Sequence, residues 1–158
     1  MKLKKVLFIS STGGHLRELM KLEPLFKDYD YKIITEKHKS TVGLKSRYKS
    51  KIDYLASGNK DHFFKYIFVI PYNIIKSIYL FLKFRPDVVV TTGAHTCVSM
   101  CYIAKIFRKK VIYIESFANI ETKTLTGRLV YPIADKFIVQ WKSMLKLYPK
   151  AICLGWIF

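Results

Sequence analysis

Six short apolar runs, rich in β-branched residues, recur along this chain and are separated by longer stretches of helical period. That alternation limits the fold more than any other feature. The runs cover residues 6–10, 31–35, 52–55, 87–91, 111–115 and 136–139, with 52–55 the weakest. Between them, 16–26 puts Leu16, Leu19, Met20 and Leu25 or Phe26 on one side of a helix, and 95–107, 122–131 and 142–147 also read as helical. Strands apolar on both faces and alternating with helices imply βαβ units. The expectation is one α/β domain over 1–158, a Rossmann-like, mostly parallel sheet with helices on both faces and right-handed crossovers. Ligands of such sheets bind beyond the carboxyl ends of the strands. That rule selects the loops at 11–15, 36–50, 92–96, 115–121 and 140–142.

Charge narrows the partners. The chain has 28 Lys and Arg against 11 Asp and Glu, a formal charge of +17, yet 51% of it is apolar and 15% aromatic. A disordered basic tail lacks such aromatic content, and a polytopic membrane protein needs several charge-free spans. What remains is a cored domain whose surface seeks anions: phosphorylated substrates, anionic lipid or nucleic acid. No ribonucleoprotein, zinc-finger or helix-turn-helix signature is present, so no nucleic-acid partner is expected, although a basic nucleic-acid-binding domain stands as a rival. Lys37, Lys39, Lys45, Arg47, Lys49 and Lys51 form a loop with no acid between them, which favours an anionic partner over a solvated charge run. Cys97, Cys101 and Cys153 are odd in number and lack a framework spacing, so a reduced compartment is expected. Cys97 and Cys101 share a helical face as core, with no metal site. Lys2, Lys4 and Lys5 precede an apolar run too short for a signal peptide, which reads instead as the first strand of a cytoplasmic protein.

Residues 63–84 are apolar nearly all round, with Lys65, Lys76 and Lys83 interspersed and Pro71 in the middle. Three readings stand open. The segment lies in a membrane interface through Phe63, Phe64, Ile67, Phe68, Ile74, Ile75, Ile78 and Phe81; it covers a sheet face; or it spans the bilayer. The last is disfavoured, because a central lysine costs about 3 kcal/mol. Pro71 either starts a second helix or kinks a continuous one.

Four motifs carry chemistry. Ser11-Thr12-Gly13-Gly14-His15 joins the first strand to the first helix. Gly13 and Gly14 permit a tight turn and close backbone approach, and His15 is either a base toward a sugar hydroxyl, a phosphate contact or a helix cap. In 86–95, a buried strand ends in Thr91-Thr92-Gly93-Ala94-His95, where Thr92 and Gly93 allow a ligand close and His95 lines a site or caps a helix. At 113–119 a strand delivers Glu115 and Ser116 to the same edge; a carboxylate there needs a partner or a ligand, and both readings stay open. Finally, Trp141, Trp156 and Phe158 belong to an aromatic C-terminal stretch that another chain would cover, or that folds back on its own domain. Asp28-Tyr29-Asp30 matches a short metal-binding pattern but falls in a polar turn, where solvated aspartates are expected.

Taken together, Ser-Thr-Gly-Gly-His at 11–15, PDVVVTTGAH at 86–95, KKVIYIESFA at 109–118, Leu125-Thr126-Gly127-Arg128-Leu129, Tyr131-Pro132, ADKFIVQW at 134–141, YPKA at 148–151 and Leu154-Gly155 cover nearly the whole chain. They resemble the family that contains the membrane-docking subunit of the two-part N-acetylglucosaminyltransferase of dolichol-linked oligosaccharide synthesis. Bacterial relatives work in capsular and exopolysaccharide synthesis, where some enhance a β-1,4-galactosyltransferase. The resemblance implies the N-terminal, acceptor-side half of a GT-B glycosyltransferase, similar to that of the enzyme making the last lipid-linked peptidoglycan precursor. It implies a donor-binding partner subunit, a polyprenyl-diphosphate-linked acceptor, a UDP-sugar donor and peripheral attachment to the cytoplasmic face of the cell membrane. The eukaryotic relatives' N-terminal anchor has no counterpart here, so 63–84 and the basic surface would take its place. On that reading His15 and Glu115 are catalytic candidates. Gly13, Gly14, Thr92, Gly93, His95 and Ser116 bind acceptor and phosphate, Trp141, Trp156 and Phe158 meet the partner, and neither metal nor cofactor is needed. A stand-alone inverting glycosyltransferase is the alternative.

Overall fold

The computed structural model describes residues 3–58 and 63–157, with side chains from 68 onward in the second stretch. Strands β1 (Lys5–Ile9), β2 (Asp30–Lys37), β3 (Ile52–Ala56), β4 (Val88–Thr91), β5 (Lys110–Ile114), β6 (Lys136–Val139) and β7 (Ile152–Cys153) form one parallel sheet in the order β3-β2-β1-β4-β5-β6-β7. The helices are α1 (Gly14–Met20), α2 (Leu44–Tyr48), α3 (Phe63–Phe84), α4 (Val98–Ile106) and α5 (Leu125–Val130). The expected fold class holds. All six anticipated strands form; β7 and α2 are additions that short, mixed runs did not announce.

Alternation along each strand divides the core. Val6, Phe8, Ile33, Ile52, Val90 and Ile114 face α1 through Leu16 and Leu19. Leu7, Ile9, Ile34, Val89, Val111 and Tyr113 face Leu80 and Phe81 of α3, Met100 and Ala104 of α4 and Val130 of α5. The first face is the thinner-covered one: a cavity of about 380 Å³ lies over Val88, Val90, Ile112, Ile114 and Ile138.

Two expectations change, and one open reading is decided. The helix expected over 16–26 stops at Met20 and resumes as a 3₁₀ turn over Glu23–Asp28. Pro24 explains the break, since its ring excludes the carbonyl four residues back and it has no N–H to give. Residues 63–84 make one continuous helix with Pro71 inside it. Of the eight residues assigned to a membrane-facing side, Phe81 is buried in the core, its ring tilted against that of Phe107 at 5.2 Å, so it does not face outward. Phe68, Ile74, Ile75 and Ile78 are exposed; the side chains of Phe63, Phe64 and Ile67 lie outside the described residues. Among the described residues no helix is long and apolar enough to cross a membrane.

Candidate functional site

The strand order reverses between β1 and β4, since successive strands spread from there in opposite directions. The loops leaving the two strands run to helices on opposite faces, α1 and α4, and such a switch point is where sheets of this class take ligands in a crevice. The Gly13–His15 loop follows β1 and the Thr92–His95 loop follows β4, so topology brings the two motifs together.

They are stitched in both directions. Thr92 Oγ1 donates to the His15 carbonyl at 2.7 Å, and His15 Nδ1 lies 2.8 Å from the Thr92 carbonyl. The Ser11 N–H donates to the Gly93 carbonyl at 3.3 Å. A carbonyl only accepts, so Nδ1 carries the proton and the neutral ring keeps its lone pair on Nε2. Gly93 has φ +98°, and a Cβ there would sit 3.3 Å from His15 Nδ1, His15 Cε1 and the Tyr113 hydroxyl. Any side chain would thus be strained and would crowd the imidazole. Gly13 has φ +78° with open space where its Cβ would be. Gly14 opens α1 in an ordinary conformation.

Two carboxylates back this crevice, and neither was singled out in the sequence. Glu18 lies one turn after His15, with Oε2 at 3.8 Å from Nδ1. Its Oε1 accepts from Ser116 Oγ at 2.7 Å and from the Phe117 N–H at 3.0 Å. The i, i+3 spacing of His15 and Glu18 was the available signal. Glu36, buried at the end of β2, accepts from Thr96 Oγ1 and, at 3.4 Å, from Thr12 Oγ1. His95 Nε2 stands 3.8 Å from the same carboxylate. The crevice is therefore flanked by two His–Glu pairs, each with the acid on the inner side.

Of the two readings open for Glu115, a partner or a ligand, the structure supplies the partner. Glu115 is 1% exposed and lies under the start of α5, not at the open edge. It accepts from the Ser116 N–H at 3.1 Å and from Thr124 Oγ1 at 3.2 Å. Burial pushes its carboxyl above the usual carboxylate range, against the lowering effect of those donors. Gly127 closes over it: a Cβ at 127 would lie 2.6 Å from Glu115 Oε2 and 2.4 Å from the Tyr148 hydroxyl. A substrate hydroxyl has no approach to Glu115 in this arrangement. Ser116 commits its hydroxyl to Glu18, so it fixes the loop rather than pointing outward.

Beside Gly13 a groove of about 510 Å³ carries Arg17, Lys21 and Ser40 on its walls. The basic loop after β2 contributes less than its sequence promised. Arg47 pairs with Glu23 at 2.7 Å, Lys51 with Asp30 at 3.0 Å, and Lys45 donates to the Ile52 carbonyl. At the other end of the sheet, Trp141 donates to the Phe117 carbonyl at 2.7 Å, and Phe117, Trp141 and Trp156 form one aromatic cluster. Trp141 is half-buried, Trp156 is 71% exposed, and Phe158 lies outside the described residues.

A family profile described as "Oligosaccharide biosynthesis protein Alg14 like" matches residues 6–157. The UDP-N-acetylglucosamine transferase subunit ALG14 of Rattus norvegicus is 38% identical over 95 residues, 56% of this chain and 44% of that protein. That of Candida albicans is 38% identical over 99 residues, 57% of this chain and 45% of the other. The chain thus spans less than half the length of these relatives. In fold it is similar to MurG of Acinetobacter baumannii, with TM-score 0.72 and 13% identity over 89% of this chain and 42% of that one. It is also similar to the UDP-GlcNAc 2-epimerase of Methanocaldococcus jannaschii, with TM-score 0.71 and 17% identity over 96% and 46%. The sheet is that of one half of a GT-B-type molecule.

Proposed function

The chain belongs to the Alg14-like family of oligosaccharide biosynthesis proteins, and on that premise we propose that it is the acceptor-side subunit of a two-component glycosyltransferase. The reading has a donor-binding partner chain supply a UDP-sugar, while this chain holds a polyprenyl-diphosphate-linked saccharide at the cytoplasmic face of the cell membrane. It is supported by relatives named as transferase subunits and by a fold matching less than half of larger chains. A capsular or exopolysaccharide setting rests on the motif resemblance.

One observation carries the chemistry: His15 is held with Nδ1–H on the Thr92 carbonyl, which leaves the ring's lone pair on Nε2. In the reaction Nε2 takes the proton of the acceptor hydroxyl. The hydroxyl oxygen bonds the anomeric carbon as that carbon's bond to the UDP oxygen breaks, and UDP leaves. Glu18 stands beside the imidazolium so formed. Gly13, Thr92 and Gly93 let the acceptor approach the backbone, and Arg17 and Lys21 in the adjoining groove face its diphosphate. His95, backed by Glu36, lines the far side. Trp141 and Trp156 offer the partner an aromatic anchor.

The test is sugar transfer from UDP-N-acetylglucosamine to a short-chain polyprenyl-diphosphate saccharide. The full chain is assayed alone and with a donor-binding partner chain. The expected result is turnover only with both chains, and a drop of about 10²-fold or more for His15→Ala at unchanged melting temperature. Full turnover by the chain alone supports the stand-alone alternative, and an undiminished His15→Ala complex refutes the role of His15.

A further inference from the structure

Glu18 has one oxygen that the fold alone does not explain. Its Oε1 accepts from Ser116 Oγ and from the Phe117 N–H. Its Oε2 is buried and meets no hydrogen-bond donor among the described residues. A buried acceptor without a donor costs stability, and native folds fill nearly all of them. An acid kept only to fasten the loop could be an amide, whose oxygen accepts the same two bonds without a charge. What stands opposite Oε2 is the His15 ring, with Nδ1 at 3.8 Å. In the neutral ring Nδ1–H rests on the Thr92 carbonyl. Once Nε2 has taken a proton, a positive charge appears beside a carboxylate already desolvated and already in place, and nothing has to reorganise as the charge forms. The nitrogen that Oε2 faces is Nδ1 and not the lone pair on Nε2, so Glu18 acts through His15 rather than on an acceptor hydroxyl.

The seat of Glu18 is built from the far end of the chain. Ser116 Oγ accepts from the Ala118 N–H at 3.3 Å, which leaves its own proton for Glu18. Phe117 gives its N–H to Glu18, and its carbonyl accepts from the Trp141 indole N–H at 2.7 Å. The Glu115 carbonyl accepts from the buried Gln140 amide at 3.1 Å, and the oxygen of that amide accepts from the Ile157 N–H at 3.2 Å. Two consecutive residues just past β6, Gln140 and Trp141, thus grip both ends of the stretch 115–117. The Phe117 ring packs on Trp141 and Trp156 at 4.9 and 5.4 Å. From the aromatic cluster to the histidine the path runs through one residue, Phe117, and one carboxylate, Glu18.

We propose that Glu18 is the positioning residue of His15, and that Gln140 and Trp141 hold it in place through the stretch 115–117. A partner chain seated on the Phe117–Trp141–Trp156 cluster then fixes the base of this chain as well as bringing the donor. The empty Oε2 is the site that the imidazolium fills. The inference rests on the acceptor-side reading and adds to it a residue and a route from the partner's seat to the base.

The test is the two-chain transfer assay with the donor-binding partner in excess, read as kcat and as KM for the acceptor separately. Glu18→Gln keeps an acceptor for Ser116 and Phe117 and removes the charge. It is expected to lower kcat roughly ten- to hundredfold with KM little changed. Glu18→Asp returns the charge one methylene short and should recover part of that loss. Trp141→Phe keeps a ring and removes the indole N–H; its several-fold loss of kcat should persist however much partner is added. Ser116→Ala, which takes away one of the two donors that seat Glu18, should lower kcat in the same sense if the loss of the indole impairs folding. In the full chain alone, the nitrogen resonances of the His15 ring should move in Glu18→Gln and, less far, in Trp141→Phe. Wild-type kcat in the Glu18→Gln complex, or a raised KM at unchanged kcat, overturns the role of Glu18 while the acceptor-side reading stands. If excess partner restores Trp141→Phe to full kcat and its His15 resonances stay unmoved, Trp141 is an interface residue only and the route is overturned. No turnover by the wild-type complex sinks the acceptor-side reading, and this proposal with it.

Discussion

At the scale of single residues, identity and environment disagree most at Glu115. The strand before it announces a carboxylate at the edge of the sheet, and the structure buries that carboxylate beneath Thr124 and Gly127. Its chemistry becomes one of stability. Because its carboxyl is raised in the fold, between the ordinary value of 4.5 and the raised one the native state keeps a proton that the unfolded chain has released. Stability must then fall as pH rises through that window. Glu115→Gln keeps an acceptor for Thr124 and removes the ionisation. Urea midpoints measured upward from pH 4.5 should decline less steeply for the variant, and equal slopes would sink the argument. His15 was legible as a residue of interest, because a histidine after two glycines at a strand end has few ordinary reasons to be there. Glu18 was not, because nothing in a helical i, i+3 pair says that a loop 98 residues away will hold the acid in place.

At the scale of elements, α3 shows what periodicity loses when apolar residues surround the whole helix. Phe81 and Ile78 are equally apolar, yet one is core and the other surface. Only packing against α4 and β3 selects the inner side. Asn73 fixes that docking, since its amide spans the Ala56 backbone at 2.8 and 2.9 Å. Pro71 lies on the exposed side, inside the helix, where an interior proline costs about 3 kcal/mol. Pro71→Ala should therefore stabilise the chain by up to about that amount in chemical denaturation. A loss of stability instead would mean that α3 needs the bend a proline imposes.

At the scale of the molecule, +17 is distributed rather than piled up, and the few acids act as fasteners. Asp135 binds Lys105 of α4, Lys110 of β5 and the Val111 N–H, which ties the helical layer to the sheet. Burial alone would raise its carboxyl, but those donors outweigh it and hold it at about 2. Asp87 is lowered by the Lys5 N–H first, then by Lys109. Both groups are depressed in the fold, so their contribution is present above the ordinary 3.8 and lost as pH falls through their lowered values, which for Asp135 is about 2. With so many cations left unopposed, thermal melts should show a steep fall in stability over that range, partly restored by added salt through screening. An acid limb indifferent to salt would count against self-repulsion.

The sequence by itself determined the parallel sheet, since β-branched runs buried on both faces and spaced by helices have one economical packing. It also determined that the loops after the first and fourth strands matter, because glycines at carboxyl ends signal close approach. Only the tertiary structure decided which of those loops meet. Strand order sets that meeting, and strand order depends on contacts far apart in the chain. The same long-range contacts turned Glu115 inward, set Glu18 and Glu36 behind the two histidines, and gave α3 an inside and an outside.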